Sequence, residues 1–246
     1  MAELLNVQNM SGGYNVHKPV LHGLNFTVKQ NEIVGLIGLN GAGKSTTIKH
    51  VLGLMEAIEG TVSIHGKRLM DGPEEYRRHF TYIPETPILY DELTLWEHMR
   101  LTAMAYGIEE KVFEERAERL MEEYRMTKMK NWFPSHFSKG MRQKVMIMCA
   151  FLIEPKLYVV DEPFIGLDPL AIKALLDMMV KMKNDGAGIL MSTHILATAE
   201  RYCDRFIVLH EGRIKLQGTM EELQEQAGMP GALLDDLYIE VAKGAI

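Results

Sequence analysis

Short apolar runs of strand length alternate along this chain with longer stretches in which apolar residues recur every three or four positions. That is the pattern of an α/β protein built on a largely parallel sheet. Residues 4–14 and 24–28 read as strands, and Ile33–Ile37 is an unbroken apolar run that stops at a glycine. A helix-compatible stretch follows at 45–54, then a short strand at 60–64 whose Gly66 turn suggests a hairpin. Strand signals return at 157–160, 188–191 and 206–209, and helices fit between them at 169–183 and 196–203.

The middle of the chain has a different texture. Residues 93–105, 109–124 and 141–153 carry helical periodicity, and Phe113, Ala117, Leu120, Met121 and Tyr124 fall on one face of the second stretch. The dense mixed charge of that stretch reads as a solvated helix surface rather than a binding patch. The pattern therefore predicts a sheet core interrupted by a helical insertion near residues 86–155. The segment after Gly218 reads as a helical, polar extension over 219–246, beyond a single domain at 1–218.

Composition narrows the classes. With 47% hydrophobic and 24% charged residues in 246, the chain can bury a full core without disulfides or structural metals. Its two cysteines, Cys149 and Cys203, form no C-x-x-C pair, which argues against a zinc site or a secreted scaffold. A net charge of -6 gives no electrostatic reason to expect a nucleic-acid partner. The first residues lack a basic stretch followed by an apolar core, so no signal peptide is expected. The longest apolar run, residues 145–153, is far short of the roughly 20 residues that cross a bilayer as a helix. A cytoplasmic protein is expected, whose membrane role, if any, comes through a partner.

Residues 38–45 read G-L-N-G-A-G-K-S between a strand and a helix, the phosphate-binding loop in its confirming context. Gly38, Gly41 and Gly43 allow the tight turn in which successive N–H groups, including those of Asn40 and Ala42, surround phosphate oxygens. The helix that begins near Lys44 adds its positive dipole end. Lys44 would reach the outer phosphates, the Ser45 hydroxyl would coordinate Mg²⁺, and Thr46 is placed for a further phosphate contact. Residues 157–162 read L-Y-V-V-D-E, a strand that delivers two adjacent carboxylates to the end of a sheet. Asp161 suits the Mg²⁺ shell and Glu162 suits a base for the attacking water, one carboxylate on the metal and one free.

With those two motifs in place, the chain resembles the ATP-binding subunits of ABC transporters. Residues 136–144, H-F-S-K-G-M-R-Q-K, are similar to the family's signature (L-S-G-G-Q): Ser138 and Gly140 match, while Phe137, Lys139 and Met141 depart from it. Ser138 can bind an anion at the head of a helix or serve as an ordinary N-cap. In F-T-Y-I-P-E-T, residues 80–86, Glu85 stands where the family usually has glutamine; it can still ligate metal or orient water. G-L-D at 166–168 resembles the loop that crosses the family's dimer interface, although Asp168 before Pro169 is equally a helix start. His194, in S-T-H, resembles the histidine that contacts the γ-phosphate, and Tyr14 the aromatic that stacks on adenine, with a plain exposed tyrosine as the alternative. Within the family, residues 80–95 and 136–152 are similar to the ATPases of Ecs-type bacterial transporters.

The resemblance implies a fold and a way of working. The fold is a P-loop ATPase core with an antiparallel β subdomain and a helical subdomain insertion; the cofactors are ATP and Mg²⁺. One chain carries one P-loop and one signature, so the site is completed in trans, in a head-to-tail dimer with two ATPs at the interface. An integral-membrane permease of the Ecs type is the expected partner, at the cytoplasmic face of the membrane, with export as the favoured direction. The apolar residues Ile88, Leu89, Tyr90 and Trp96 lie where the family receives a helix of that subunit, although Leu93, Leu95 and Trp96 serve equally as plain core. The competing function is a soluble ATPase of the same kind that serves a cytoplasmic assembly complex. Chromosome-maintenance relatives insert a long coiled coil before the signature and translation-type relatives carry two such heads, and this chain has neither feature.

Overall fold

A computed structural model describes residues 2–244. Its principal layer is a six-stranded sheet in the order β5 (Phe80–Ile83), β6 (Leu157–Asp161), β7 (Gly188–Thr193), β3 (Ile33–Ile37), β8 (Arg205–His210) and β9 (Arg213–Gly218). The first five strands run parallel, and only β9 is antiparallel to its neighbour. Every residue of β3, β6 and β7 is buried, which is why these strands read as continuous apolar runs rather than alternating ones.

The register of these central strands positions the site. Ile37 pairs with Thr193 and Asp161 with Ser192, so β3, β6 and β7 end side by side. The 38–45 loop, the two carboxylates and the S-T-H segment therefore leave the sheet at one edge, the carboxyl edge where α/β proteins place ligands.

A second, three-stranded antiparallel sheet, β2 (Leu21–Lys29), β1 (Glu3–Gly12) and β4 (Glu59–Ile64), covers one face. Leu4, Val7, Leu24 and Val28 from it share one core with Val34, Leu36, Val159 and Leu190 of the main sheet. Ile48 and Val51 of α1 (Lys44–Val51) join that core, so the helix behind the phosphate loop is clamped from both sheets. α2 (Pro73–Arg78), which buries only Tyr76, leads into β5.

Three helices stand between β5 and β6 in the chain: α3 (Leu95–Ala105), α4 (Glu110–Glu123) and α5 (Lys139–Ile153). Thr94 and Glu97 start α3 with a reciprocal capping box. The expected stripe on α4 is buried along its length, from Phe113 to Tyr124, against Val145, Met148 and Phe151. Its opposite face is charged, with Arg116 and Arg119 both meeting Glu154. Leu95 is fully buried core, while Trp96 is half-buried against Phe113 under the Lys130 ammonium. Ile88 and Tyr90 stand exposed.

α6 (Pro169–Asn184) and α7 (Leu196–Tyr202) flank β7 in the chain, and α8 (Met220–Ala227) and α9 (Leu234–Ala242) close it. The final segment is helical as expected over the described residues, with 245–246 lying outside them, but it is not merely polar. Leu234, Leu237, Tyr238 and Val241 form an apolar stripe that packs on Ile37, Phe206 and Val208 as a third core cluster. β5, β9 and α2 were not expected from the pattern. Among the described residues no helix is long and apolar enough to cross a membrane.

Candidate active site

The phosphate loop is shaped by glycine in two different ways. Gly41 and Gly43 adopt φ of 86° and 111°, the left-handed region that side chains avoid, and Gly43 is the residue from which α1 starts. Gly38 has no such need; a Cβ there would come within 2.7 Å of the Leu209 carbonyl oxygen and 2.8 Å of Ala42 Cβ, so close approach excludes any side chain. Ala42 N–H donates to Leu39 O and Gly212 N–H to Ala42 O, which tie the loop across to the β8–β9 turn. Asn40 and Ser45 are exposed, while Thr46 is buried.

Lys44 is buried at 5% exposure, and its ammonium is fully engaged. It donates to Gly38 O at 2.7 Å and to Leu39 O at 3.5 Å, and it lies 3.3 Å from Glu162 Oε1. Glu162 in turn accepts from His194 Nδ1 at 2.7 Å and from the His194 N–H at 3.3 Å, both at Oε2. A carboxylate at Nδ1 requires the proton on that nitrogen, which leaves Nε2 of a half-exposed ring as a free acceptor. Lys44, Glu162 and His194 thus form one chain of contacts across three segments of the sheet edge.

Glu162 is held in an uncommon backbone state, φ 44°, stabilised by its N–H donating to both the carbonyl and the hydroxyl of Ser192. The same Ser192 hydroxyl donates to Asp161 Oδ1 at 2.5 Å. Burial holds the Asp161 carboxyl above its ordinary range, and the Glu162 and Glu85 charges push the same way against the Ser192 bond and Lys44. Ser192 was not singled out from the sequence, yet it bonds the Asp161 carboxylate and the Glu162 backbone at once.

The other expected residues fall into two groups. Ser138 caps α5, its hydroxyl accepting from Met141 N–H at 3.3 Å, and Asp168 caps α6, accepting from Ala171 N–H at 2.9 Å. Gly140 packs directly on the Gly166 carbonyl, and Lys144 pairs with Asp168 at 3.0 Å, so the 138–144 segment and the 166–168 loop form one unit. No hydrogen bond or ion pair joins Ser138 or Gly140 to the phosphate loop within the described chain. The Ala171 amide and then the Lys144 ammonium hold the Asp168 carboxyl below its ordinary range.

Glu85 is exposed after β5, and Gln143 of α5, which the sequence reading passed over, donates to the preceding carbonyl of Pro84 at 3.1 Å. Tyr14 is 68% exposed beyond β1; its hydroxyl accepts from Lys49 Nζ at 3.0 Å, and that ammonium also sits 5.0 Å from the ring centre. The Lys49 bond, then one to Thr46, lowers the Tyr14 phenol below its ordinary value, placing the ring beside the start of α1.

The donor set fits a hard divalent cation with a phosphorylated ligand. Ser45 offers an exposed hydroxyl and Asp161 a buried carboxylate, oxygen donors of the kind such ions take. Among the described residues no group of three or more His, Cys, Asp or Glu is placed to hold a metal alone, so phosphate and water oxygens would complete the shell.

Comparison with known proteins agrees with this geometry. Residues 21–165 match a protein-family model described as ABC transporter. The chain is 61% identical to the ABC-type transporter ATP-binding protein EcsA of Bacillus subtilis (strain 168), over 98% of this chain and 97% of that protein. It is 44% identical to the uncharacterized ABC transporter ATP-binding protein YthP of the same organism, over 99% of each. A solved structure of the ATP binding subunit of an ABC transporter superimposes with a TM-score of 0.95 at 61% identity, covering 97% of this chain and 99% of that one.

Proposed function

The chain belongs to the ABC transporter ATP-binding family, and we propose that it binds and hydrolyses MgATP to power an integral-membrane permease of the Ecs type. The observation that carries the reading is the contact chain from Lys44 through Glu162 to His194, which gathers a phosphate-loop ammonium, a carboxylate and an imidazole at one sheet edge.

In this reading residues 1–218 are the ATPase unit, with a helical subdomain near 86–155, and 219–246 are a C-terminal extension. The amides of Gly38, Asn40, Gly41, Ala42 and Gly43 and the Lys44 ammonium cradle the phosphates, Thr46 adds a contact, and Tyr14 stacks on the adenine. Ser45, Asp161 and Glu85 would hold Mg²⁺, which would supply charge neutralisation at the phosphates. Glu162 takes the proton of the attacking water as its oxygen bonds to the γ-phosphorus and the bond to the bridging oxygen breaks. The Nδ1–H bond to Glu162 orients His194, so that its Nε2 faces outward to the γ-phosphate once protonated or hydrogen-bonded through water.

Completion of the site in trans is supported by the separation of the two groups of residues. The segment of Ser138 and Gly140 is joined to the loop of Asp168, through Gly140 against the Gly166 carbonyl and Lys144 to Asp168, and would meet the phosphate loop of a second copy in a head-to-tail dimer. Closure of that dimer would exclude water and surround the transferring phosphoryl group with fixed donors. Exposed Ile88 and Tyr90, beside Glu85, offer apolar contact to the permease at the cytoplasmic face of the membrane. Export is the direction that the resemblance to the Ecs branch supports.

The test is steady-state ATP hydrolysis by the purified chain with Mg²⁺, beside equilibrium ATP binding. Turnover lost with binding kept in Glu162→Gln supports the reading; a wild-type rate in that variant overturns the base assignment.

A further inference from the structure

The C-terminal helix reaches the phosphate loop. Tyr238, on α9, is 5% exposed, and its hydroxyl oxygen accepts a hydrogen bond of 2.8 Å from the Leu39 N–H. Leu39 is itself 58% exposed, so this is a buried phenol aimed at one amide of an open loop.

That amide has a particular meaning. The Leu39 N–H and the Gly38 C=O belong to one planar peptide unit and point in opposite directions. The Gly38 carbonyl is the oxygen that accepts the shortest bond of the Lys44 ammonium, at 2.7 Å. One peptide plane is therefore held from both sides, by Tyr238 at its N–H and by Lys44 at its C=O. Rotation of the plane would break both bonds, and each bond polarises the amide in the sense that strengthens the other.

The helix that carries Tyr238 is anchored for this task. Its stripe packs on Ile37, the residue that precedes the loop, and on Val208 and Phe206 of the adjacent strand. At its start, the Leu234 N–H donates to Glu200 of α7 at 3.1 Å, and α7 opens two residues after His194. α9 thus braces the segment after β3 and the segment after β7 together.

We propose that Tyr238 is a positioning residue for Lys44, by which the C-terminal helix sets the phosphate affinity of the site. The proposal rests on the reading of Lys44 as a phosphate ligand. Tyr238→Phe keeps the ring in its cluster, removes the acceptor and leaves the Leu39 N–H unpaired. The expected result is a full-length protein that melts only a few degrees below the unmodified chain and binds ATP about three- to tenfold more weakly.

Equilibrium ATP titration of the full chain, Tyr238→Phe, Leu237→Ala and Lys44→Ala separates the outcomes. Leu237→Ala loosens α9 without touching the hydroxyl, and should lower the melting temperature with a smaller loss of affinity than Tyr238→Phe. Unchanged affinity in Tyr238→Phe, while Lys44→Ala loses binding, overturns the role of Tyr238 and leaves the cradle standing. An equal or larger affinity loss in Leu237→Ala also overturns it, because helix docking alone would then explain the effect. Unaltered binding in Lys44→Ala overturns the cradle and this inference with it. In the unmodified chain, amide hydrogen exchange gives a second measurement: Leu39 should exchange more slowly than exposed Asn40, and an equal rate contradicts the bond.

Discussion

The Lys44 ammonium lies 3.3 Å from Glu162 Oε1, which joins the phosphate loop after β3 to the carboxylate pair after β6. Both side chains are buried, so each charge depends on the other, and removing either would leave an uncompensated buried charge. The arrangement has consequences that can be measured at each residue.

Replacing Glu162 by glutamine keeps a side chain of the same shape near Lys44 and His194 but removes the proton acceptor. Turnover should fall by about 10²–10⁴-fold, the usual contribution of a general base, with ATP affinity retained. Light scattering on this variant with MgATP should report a stable dimer of the 28.0 kDa chain. A monomer at saturating ATP would contradict completion of the site by a second copy.

Lys44→Ala removes the cradle's ammonium and leaves the Glu162 carboxylate buried with only the His194 hydrogen bonds. ATP affinity should drop at least tenfold by equilibrium titration, since a charge-assisted contact contributes roughly 1.5–3 kcal/mol. Titration curves that superimpose on those of the unmodified chain would refute the assignment.

Asp161 is a buried carboxylate close to two like charges, a site that favours function over stability. Asp161→Asn removes the buried charge and can still accept the Ser192 hydroxyl proton. Without nucleotide its melting temperature at neutral pH should rise by roughly 2–4 °C for each kcal/mol gained, while Mg²⁺-dependent turnover is lost. A lower melting temperature would mean that the charge itself stabilises the fold.

Asp168 carries two readings that one substitution separates. Asparagine caps helices as well as aspartate, so Asp168→Asn should preserve α6 while weakening the exposed pair with Lys144. A several-fold loss of turnover with little change in melting temperature assigns the residue to the interface; full turnover assigns it to the cap alone. The native carboxyl is held below its ordinary value of 3.8, so its stabilisation is present above that pH and is lost as pH falls through the lower native value. Any melting difference between the two proteins should therefore shrink on acidification below about pH 4.

The sequence was most legible where one physical demand dominates. β3, β6 and β7 are buried on both faces and must be apolar throughout, so their runs stand out. The phosphate loop is equally plain, because left-handed backbone at Gly41 and Gly43 and crowding at Gly38 leave only glycine. β5 and α2 escaped because four and six residues are too few to show a period. β9 lies at the sheet edge and alternates strictly, but Ile214 and Leu216 are its only large apolar residues, too few to mark a period. The stripe at 234, 237, 238 and 241 has full helical spacing, but the acidic residues around it gave the segment a polar appearance.

Within the site, residue types were readable and partnerships were not. That Glu162 meets Lys44 and His194, or that Ser192 bonds Asp161 while holding the Glu162 backbone, depends on the pairing of β6 with β7 and β3 with β7. Spacing along the chain carries no information about that register. The Gln143 bond to Pro84 and the Tyr238 bond to Leu39 are further contacts of this kind, made across 59 and 199 positions.

Whether this chain powers a membrane permease is measured most directly by purifying the tagged chain from detergent-solubilised membranes and comparing the ATPase rate of the product with that of the chain alone. An integral-membrane protein should co-purify in stoichiometric amount and raise the rate. Recovery of the chain only from the soluble fraction, in a complex without a membrane protein, would contradict that role and favour a soluble assembly ATPase.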